Sequence, residues 1–387
     1  IVKTLRSLGA SVFDASGIGR GFPDLVVGIY DKTILVEIKS DEKKKFTQAQ
    51  LNFIKNSKTR LYKTTCQKCN YSFIGNWRTI TTRITCKNCY KPHYVSKWEH
   101  EVAQYISSVV NTEIKRNHRE YDGNVMYELD IYIPQLNIGI ECNGIYWHGE
   151  HVGGKEKEYH LNKTKYYASR NIRVIHIWDV EWYHKSDIVK SRLSGILGQI
   201  STKIFARKLV ATKLTAKQAK EFFTKTHLGG FVPATYHVGL IDTTGTIVSA
   251  MSVSRRGRLG ISAKSAELLR FSSKLNCIVV GGFSKMMKFL LETVPELRTT
   301  QIISYADMRW SWDINCVYTS AGFNLIRTTA PSYWYVKSGK MYHRTLFMKH
   351  LLPKKLKTFN PSFTEYQNML LNGYDRVWDC GELVYVK

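Results

Sequence analysis

The chain has 387 residues and carries 57 Lys+Arg against 31 Asp+Glu, a formal charge of +26. That length allows two to four domains with their own cores, and the charge is far beyond what solubility asks for, so a polyanionic partner is expected: basic grooves gain affinity by displacing counterions from phosphate. No apolar run of about 18 residues and no signal-peptide pattern occurs, which argues against a membrane or secreted class and for a cytoplasmic location. The 23 Tyr and 9 Trp add rings able to stack on bases.

Ile1 is not an initiator Met, and Ile1 to Leu8 has the spacing of a helix interior, so the chain reads as the continuation of a longer one. A glycine-rich stretch, Gly17 to Pro23, leads to Asp24, and two β-branched runs follow at Leu25 to Ile29 and Thr33 to Ile38. Asp24, then Glu37 thirteen residues on, then Lys39 form a set that suits phosphodiester chemistry. Two carboxylates hold a divalent cation, while a lysine orients or deprotonates water and steadies charge growing on phosphate. Together with Gln48 and Leu51 opening the next helix, this unit resembles the VRR-NUC version of the PD-(D/E)XK nuclease superfamily. After Ile54 the chain leaves almost at once for another module, so this copy reads as truncated.

That module holds Cys66 and Cys69, sixteen residues, then Cys86 and Cys89. Two such knuckles each place two thiolates at a corner of a tetrahedron, which predicts a structural Zn²⁺ site in a zinc ribbon whose strands lie within Tyr71 to Ile84. Lys68, Arg78, Arg83, Lys87 and Lys91 make the ribbon a candidate DNA clamp. Cys142, Cys277, Cys316 and Cys380 have no ligand spacing and read as buried thiols.

Ser96 is placed to cap a helix, with Glu99 in capping-box position, so a local role for Glu99 competes with a site role; Glu101 is its alternative. Asn117 to Arg119 precede the next strand and are candidate phosphate contacts. Two β-type runs, Leu129 to Ile133 and Ile138 to Glu141, flank a Pro134 to Asn137 turn. The hairpin brings Asp130 and Glu141 to one place, and paired oxygen ligands suit Mg²⁺. Trp147 and His148 end the segment, and His160 and Lys163 follow on a polar helix.

From Lys97 to about Tyr183 the chain is similar to the PD-(D/E)XK branch that contains very-short-patch repair endonucleases and phage homing endonucleases. The resemblance implies a restriction-endonuclease-like mixed sheet flanked by helices, with the acidic roles on Glu99 (or Glu101), Asp130 and Glu141, the Trp147-His148 pair, the helix around His160 to Ser169 and the closing strand Arg173 to Trp178. Where the simplest family pattern has Glu-x-Lys, this chain has Glu141, Cys142 and Asn143. Either Lys163 supplies the cation from the helix or His148 acts as general base, the latter being favoured.

Ser186 to Lys203 reads as an amphipathic helix, and the span Lys203 to Lys225 carries seven Lys/Arg, marking a boundary. Beyond it come a helix over Thr215 to Thr226, a hairpin around Asp242 to Gly245, Glu267 to Phe271, a Gly281-Gly282 turn opening a helix over Ser284 to Glu292, the strand Gln301 to Tyr305, and Tyr318 to Phe323. This order resembles a GNAT-like α+β domain, in the version shared with the Mom DNA-modification family, and Asp307 and Arg309 read as either a buried pair or a site.

The expected organisation is α/β and multidomain: a VRR-NUC-like unit over 1–62, a zinc ribbon over 63–95, an endonuclease domain over 96–200, a GNAT-like domain over 206–350 and a basic, aromatic tail over 351–387. The expected activity is Mg²⁺-dependent hydrolysis of double-stranded DNA. The alternative is a DNA-modifying acyltransferase whose nuclease folds only bind.

Overall fold

The computed structural model describes residues 11–14, 25–29, 32–36, 61–65, 72–76, 96–122, 125–255, 265–312 and 316–387. The chain divides into two compact units, Ile1–Val95 and Ser96–Lys387.

In the first unit, β1 (Ser11–Asp14), β2 (Leu25–Ile29) and β3 (Lys32–Val36) form an antiparallel sheet, and β4 (Leu61–Thr65) pairs with β5 (Ser72–Asn76). The two β-branched runs of the sequence pair with each other as β2 and β3, the second strand spanning Lys32–Val36. The partner of β5 lies upstream of the first cysteine pair, in a Tyr- and Thr-rich run that favours a pleated surface. Asp24, Glu37, Lys39, Cys66, Cys69, Cys86 and Cys89 lie outside the described residues.

The second unit begins with α1 (Lys97–Val109), whose first turn is capped by the Ser96 hydroxyl accepting from Glu99 N at 3.3 Å. A four-stranded sheet follows, in the order β6 (Lys115–Asp122), β7 (Val125–Ile133), β8 (Ile138–Asn143), β9 (Arg173–Trp178). It is antiparallel through β8, and β9 runs parallel to β8. A parallel neighbour requires a crossover, and residues 144–172 supply it with α2 (Glu150–Gly153) and α3 (Tyr159–Ala168). After β9 come α4 (Asp179–His184) and α5 (Ser186–Ile196).

Both faces of this sheet are covered. Ile131, Ile133, Ile138, Ile140, Ile175 and Ile177 pack against Val102 and Ile106 of α1 and Val189 and Leu193 of α5. On the opposite face Leu129 and Val174 meet Tyr166 and Tyr167 of α3. Leu129 and Ile131, two residues apart on one strand, should share a face, yet they enter different clusters. The alternation therefore slips at Asp130, just where the β7–β8 ladder ends: the pairing runs only from Ile131↔Ile140 to Ile133↔Ile138. The Asp130 carboxylate accepts the Cys142 N–H at 2.7 Å in place of a backbone partner. Irregularities of this kind re-aim a side chain.

The expected helix to Lys203 ends at Ile196, because Gly198 takes a left-handed φ of 73° that terminates it, and Lys203–Phe205 forms β10 instead. β11 (Val210–Lys213), α6 (Ala216–Thr226), β12 (Tyr236–Ile241), β13 (Ile247–Ser254), β14 (Ser265–Ser273), β15 (Ile278–Val280), α7 (Gly282–Thr293), β16 (Gln301–Asp307), α8 (Val317–Ser320) and β17 (Asn324–Thr328) follow. The expected hairpin and both helices fall in place, with Thr215 and Gln218 closing a capping box on α6.

The chain continues with β18 (Tyr333–Lys337), β19 (Lys340–His343), α9 (Leu352–Lys355), α10 (Glu365–Leu371), β20 (Asp375–Trp378) and β21 (Glu382–Val386). The large sheet has the order β11-β12-β13-β14-β16-β21-β17, with β14 and β16 parallel. Residues 351–387, read from sequence as a tail, thus supply β21 in the interior of this sheet, with Tyr385 fully buried, and β20 in a smaller β19-β18-β20 sheet. Among the described residues no helix is long and apolar enough to cross a membrane.

Candidate active site

β7 and β8 are joined by a single 3-10 turn over Pro134–Leu136, closed by Asn137 at φ 51°. The tight turn brings Asp130 and Glu141 from neighbouring strands to the α3 side of the sheet. There Lys163, one turn along α3 from His160, donates its ammonium to Glu141 Oε2; both side chains are buried. Glu141 Oε1 is buried and has no hydrogen-bond partner. These groups lie in a cavity of about 600 Å³ that His148 and Tyr159 also line.

In a chain of formal charge +26, this cavity is acidic: Glu128, Asp130, Glu141, Glu156 and Glu158 line it against the single ammonium of Lys163. Burial, and then the charge of Glu141, push the Asp130 carboxyl well above the usual carboxylate range; burial likewise raises Glu141. Burial pulls on the Lys163 ammonium in the opposite sense, but Glu141, Tyr159 and Asp130 outweigh it and raise its pKa, so Lys163 stays charged.

The residues fit a hard divalent cation. Mg²⁺ is held through one or two carboxylates and keeps several waters, and here two carboxylates converge, one with an unpartnered oxygen and the other held above its usual range by burial and by the charge of Glu141. Among the described residues no group of three or more His, Cys, Asp or Glu is arranged to hold a metal.

His148 is half-buried. Burial, then Lys155 and Lys163, lower its pKa to about 3, leaving it neutral at ordinary pH. Its Nδ1 faces His160 Nε2 at 3.3 Å with the rings stacked at 5.0 Å. Behind this pair, the Asn143 amide donates to His176 Nδ1 at 3.2 Å, which leaves His176 Nε2 to donate to Thr164 Oγ1 at 2.9 Å; that hydroxyl in turn donates to the His160 carbonyl at 2.9 Å. The tautomer follows from the network. Strands β8 and β9 thereby hold α3, and with it His160 and Lys163, in fixed rotation.

Of the two leading-helix candidates, Glu99 lies on the Asp130 side, where its charge helps raise the Asp130 pKa, but it is ion-paired with Arg116 at 2.5 Å. Arg116 also donates to the Asp130 carbonyl. Glu101 instead accepts from Trp182 Nε1 at 3.2 Å. Arg119 is paired with Glu128, and His118 contacts Glu120 and stacks on Tyr132. Tyr146 and Trp147, which precede the cavity-lining His148 in the chain, are 61% and 71% exposed. Asp307 and Arg309 form a triad with Glu181: buried Arg309 pairs with Asp307 at 2.7 Å and Glu181 at 3.0 Å. Cys380 is a buried thiol, and Cys142, Cys277 and Cys316 are half-buried free thiols.

Sequence reasoning missed Asn143, Thr164 and His176. The signals were local: Asn143 shares the face of Glu141 at spacing two, and Thr164 shares that of His160 at spacing four. It also missed Asp375 and Arg376, which touch the crossover from 224 and 226 positions away.

In comparisons with known proteins, no family model, no curated protein and no solved structure matches this chain.

Proposed function

We propose that the chain is a Mg²⁺-dependent DNA endonuclease of the phage or homing-endonuclease type, acting through Asp130, Glu141, Lys163 and His148. The observation that carries the reading is the convergence of two strand-borne carboxylates and a helix-borne lysine at the floor of one cavity. The element order α1-β6-β7-β8-α3-β9 agrees with the PD-(D/E)XK resemblance, and the missing lysine of the Glu-x-Lys pattern finds a spatial substitute in Lys163.

Asp130 and Glu141 would hold the cation, which when bound supplies Lewis-acid polarisation of phosphate and water. Lys163, charged and fixed by Glu141, is suited to steady the phosphate oxygens rather than to accept a proton. His148 is neutral, its Nδ1 faces His160, and its remaining nitrogen is suited to accept a hydrogen bond from the attacking water and orient it; with a pKa of about 3 it is too weak a base to keep the water's proton at neutral pH, so that proton passes on to solvent. Attack is in line on phosphorus, with the 3′ oxygen leaving. Trp147 and Tyr146 offer faces for bases at the cavity's edge.

The Zn²⁺ ribbon of Cys66, Cys69, Cys86 and Cys89, and a second site at Asp24, Glu37 and Lys39, belong to the same proposal. The alternative, acyl transfer to DNA by the C-terminal half, has less to rest on, since Arg309 is committed to both Asp307 and Glu181. The test is nicking of supercoiled plasmid by wild type and Asp130→Ala, with Mg²⁺ and with EDTA.

A further inference from the structure

The crossover that carries Trp147 and His148 is held by the far C-terminus of the chain. His148 N–H donates back to Gly144 O at 3.0 Å, and the Asp179 carboxylate accepts from Ile145 N at 3.2 Å. Beyond His148 the loop folds so tightly that a Cβ on Gly153 would lie 2.0 Å from the Trp147 carbonyl oxygen, and one on Gly149 would lie 2.3 Å from Asp375 Oδ2. Asp375, at the start of β20, accepts the backbone N–H of His151 at 3.0 and 3.1 Å and of Val152 at 3.0 Å. Its neighbour Arg376 donates through Nη2 to Glu150 at 2.9 Å, and Trp378 Nε1 donates to the same carboxylate at 2.6 Å. Ile145 is buried with Val336 and Val377 of the small sheet. Asp375 is itself fixed by the Tyr366 hydroxyl at 3.0 Å.

We infer that Asp375 and Arg376 are positioning residues for the candidate active site: they clamp residues 149–152 and so set where Trp147 and His148 stand at the mouth of the cavity. This inference rests on the hydrolase reading for its catalytic half; its structural half stands without it. The small C-terminal sheet is then part of the catalytic apparatus.

The test uses the full chain as wild type, Asp375→Ala, Asp375→Asn and Arg376→Met, followed by amide hydrogen exchange over residues 145–154 and by steady-state nicking of supercoiled plasmid with Mg²⁺. Asp375→Ala and Arg376→Met should each speed exchange in that segment by about tenfold or more while exchange in β7 and β8 is unchanged. The kcat should fall by about tenfold with the KM for plasmid within about twofold, since a small misplacement of a reacting group acts on the transition state. Asp375→Asn, which keeps an acceptor oxygen, should restore most of both. Unchanged exchange in Asp375→Ala and Arg376→Met, or faster exchange with unchanged kcat, overturns the inference. A wild type that does not nick, with exchange behaving as stated, overturns the hydrolase reading and with it the catalytic half alone.

Discussion

Lys163 on α3 and Glu141 on β8 form a buried ion pair across 22 positions of sequence, and the second oxygen of Glu141 is left without a partner inside the cavity. The pair therefore does two things: it docks the crossover helix on the sheet, and it leaves one oxygen of the Glu141 carboxylate buried without a partner.

Removing one member should expose the other. Lys163→Met leaves the Glu141 carboxylate buried and uncompensated, which costs about 3–5 kcal/mol, whereas Lys163→Met with Glu141→Gln leaves no charge behind and should recover most of that loss. Urea unfolding of the three proteins measures it. With Glu141→Gln added as the fourth protein, a double-variant loss equal to the sum of the two single losses would mean the pair has no coupling.

Asp130 should show the reverse trade. Burial and Glu141 raise its pKa, so the ionised carboxylate is a cost to the folded state at neutral pH, and Asp130→Asn keeps an acceptor for Cys142 N–H. A raised acid pKa means that the native state binds the proton more tightly, so the wild-type penalty is absent below the unfolded pKa and grows as pH rises. Asp130→Asn is expected to gain about 1 kcal/mol over wild type near pH 7 and little near pH 4. Added Mg²⁺ should raise the melting temperature of wild type and leave that of Asp130→Asn unmoved.

How much of this was legible in the sequence depends on how local the cause was. The β7–β8 hairpin follows from two β-branched runs about a Pro-Gln-Leu-Asn turn and lies where that pattern puts it, α3 is the polar helix expected around His160 and Lys163, and β9 spans the segment that the family resemblance implied as a closing strand. The slip at Asp130 was invisible, because it depends on where the ladder with β8 stops. So was the role of residues 351–387: β21 inserts between β16 and β17, and no local pattern announces which sheet a terminal strand joins. Glu99 illustrates a third case. Its helix position was legible, but its pairing with Arg116 depends on how α1 crosses β6.

Asp379 supplies a pH signature away from the cavity. Burial first, and then the Asp307 charge, raise its pKa from 3.8 to about 6, while the Ser332 and Gly381 amides bind its Oδ1 at 2.7 and 2.8 Å. Because the folded pKa is the higher one, its stabilising proton is fully present below pH 4 and lost by about pH 6. Asp379→Asn holds those amides without ionising, so its stability relative to wild type should rise by up to about 3 kcal/mol between pH 4 and pH 7. Denaturant unfolding at the two pH values checks this; a pH-independent difference would refute it.

Trp147 is 71% exposed and packs edge-on to Tyr146 at 5.0 Å, so its ring has little to do with stability. Trp147→Ala should leave the melting temperature within about 1 °C and weaken DNA binding by about tenfold, the range of one lost base stack of about 1–3 kcal/mol. Fluorescence anisotropy with labelled DNA in EDTA separates this from chemistry; unchanged affinity would remove Trp147 from the interface.

The most direct measurement is cleavage of supercoiled plasmid and of phage DNA by wild type, Asp24→Ala and Asp130→Ala, each with Mg²⁺ and with EDTA. The account predicts Mg²⁺-dependent cutting by wild type, its loss in Asp130→Ala, and its survival in Asp24→Ala, the constellation at Asp24, Glu37 and Lys39 then being a relic that does not cut. Cutting that persists in Asp130→Ala, or a wild type that never cuts, would contradict it.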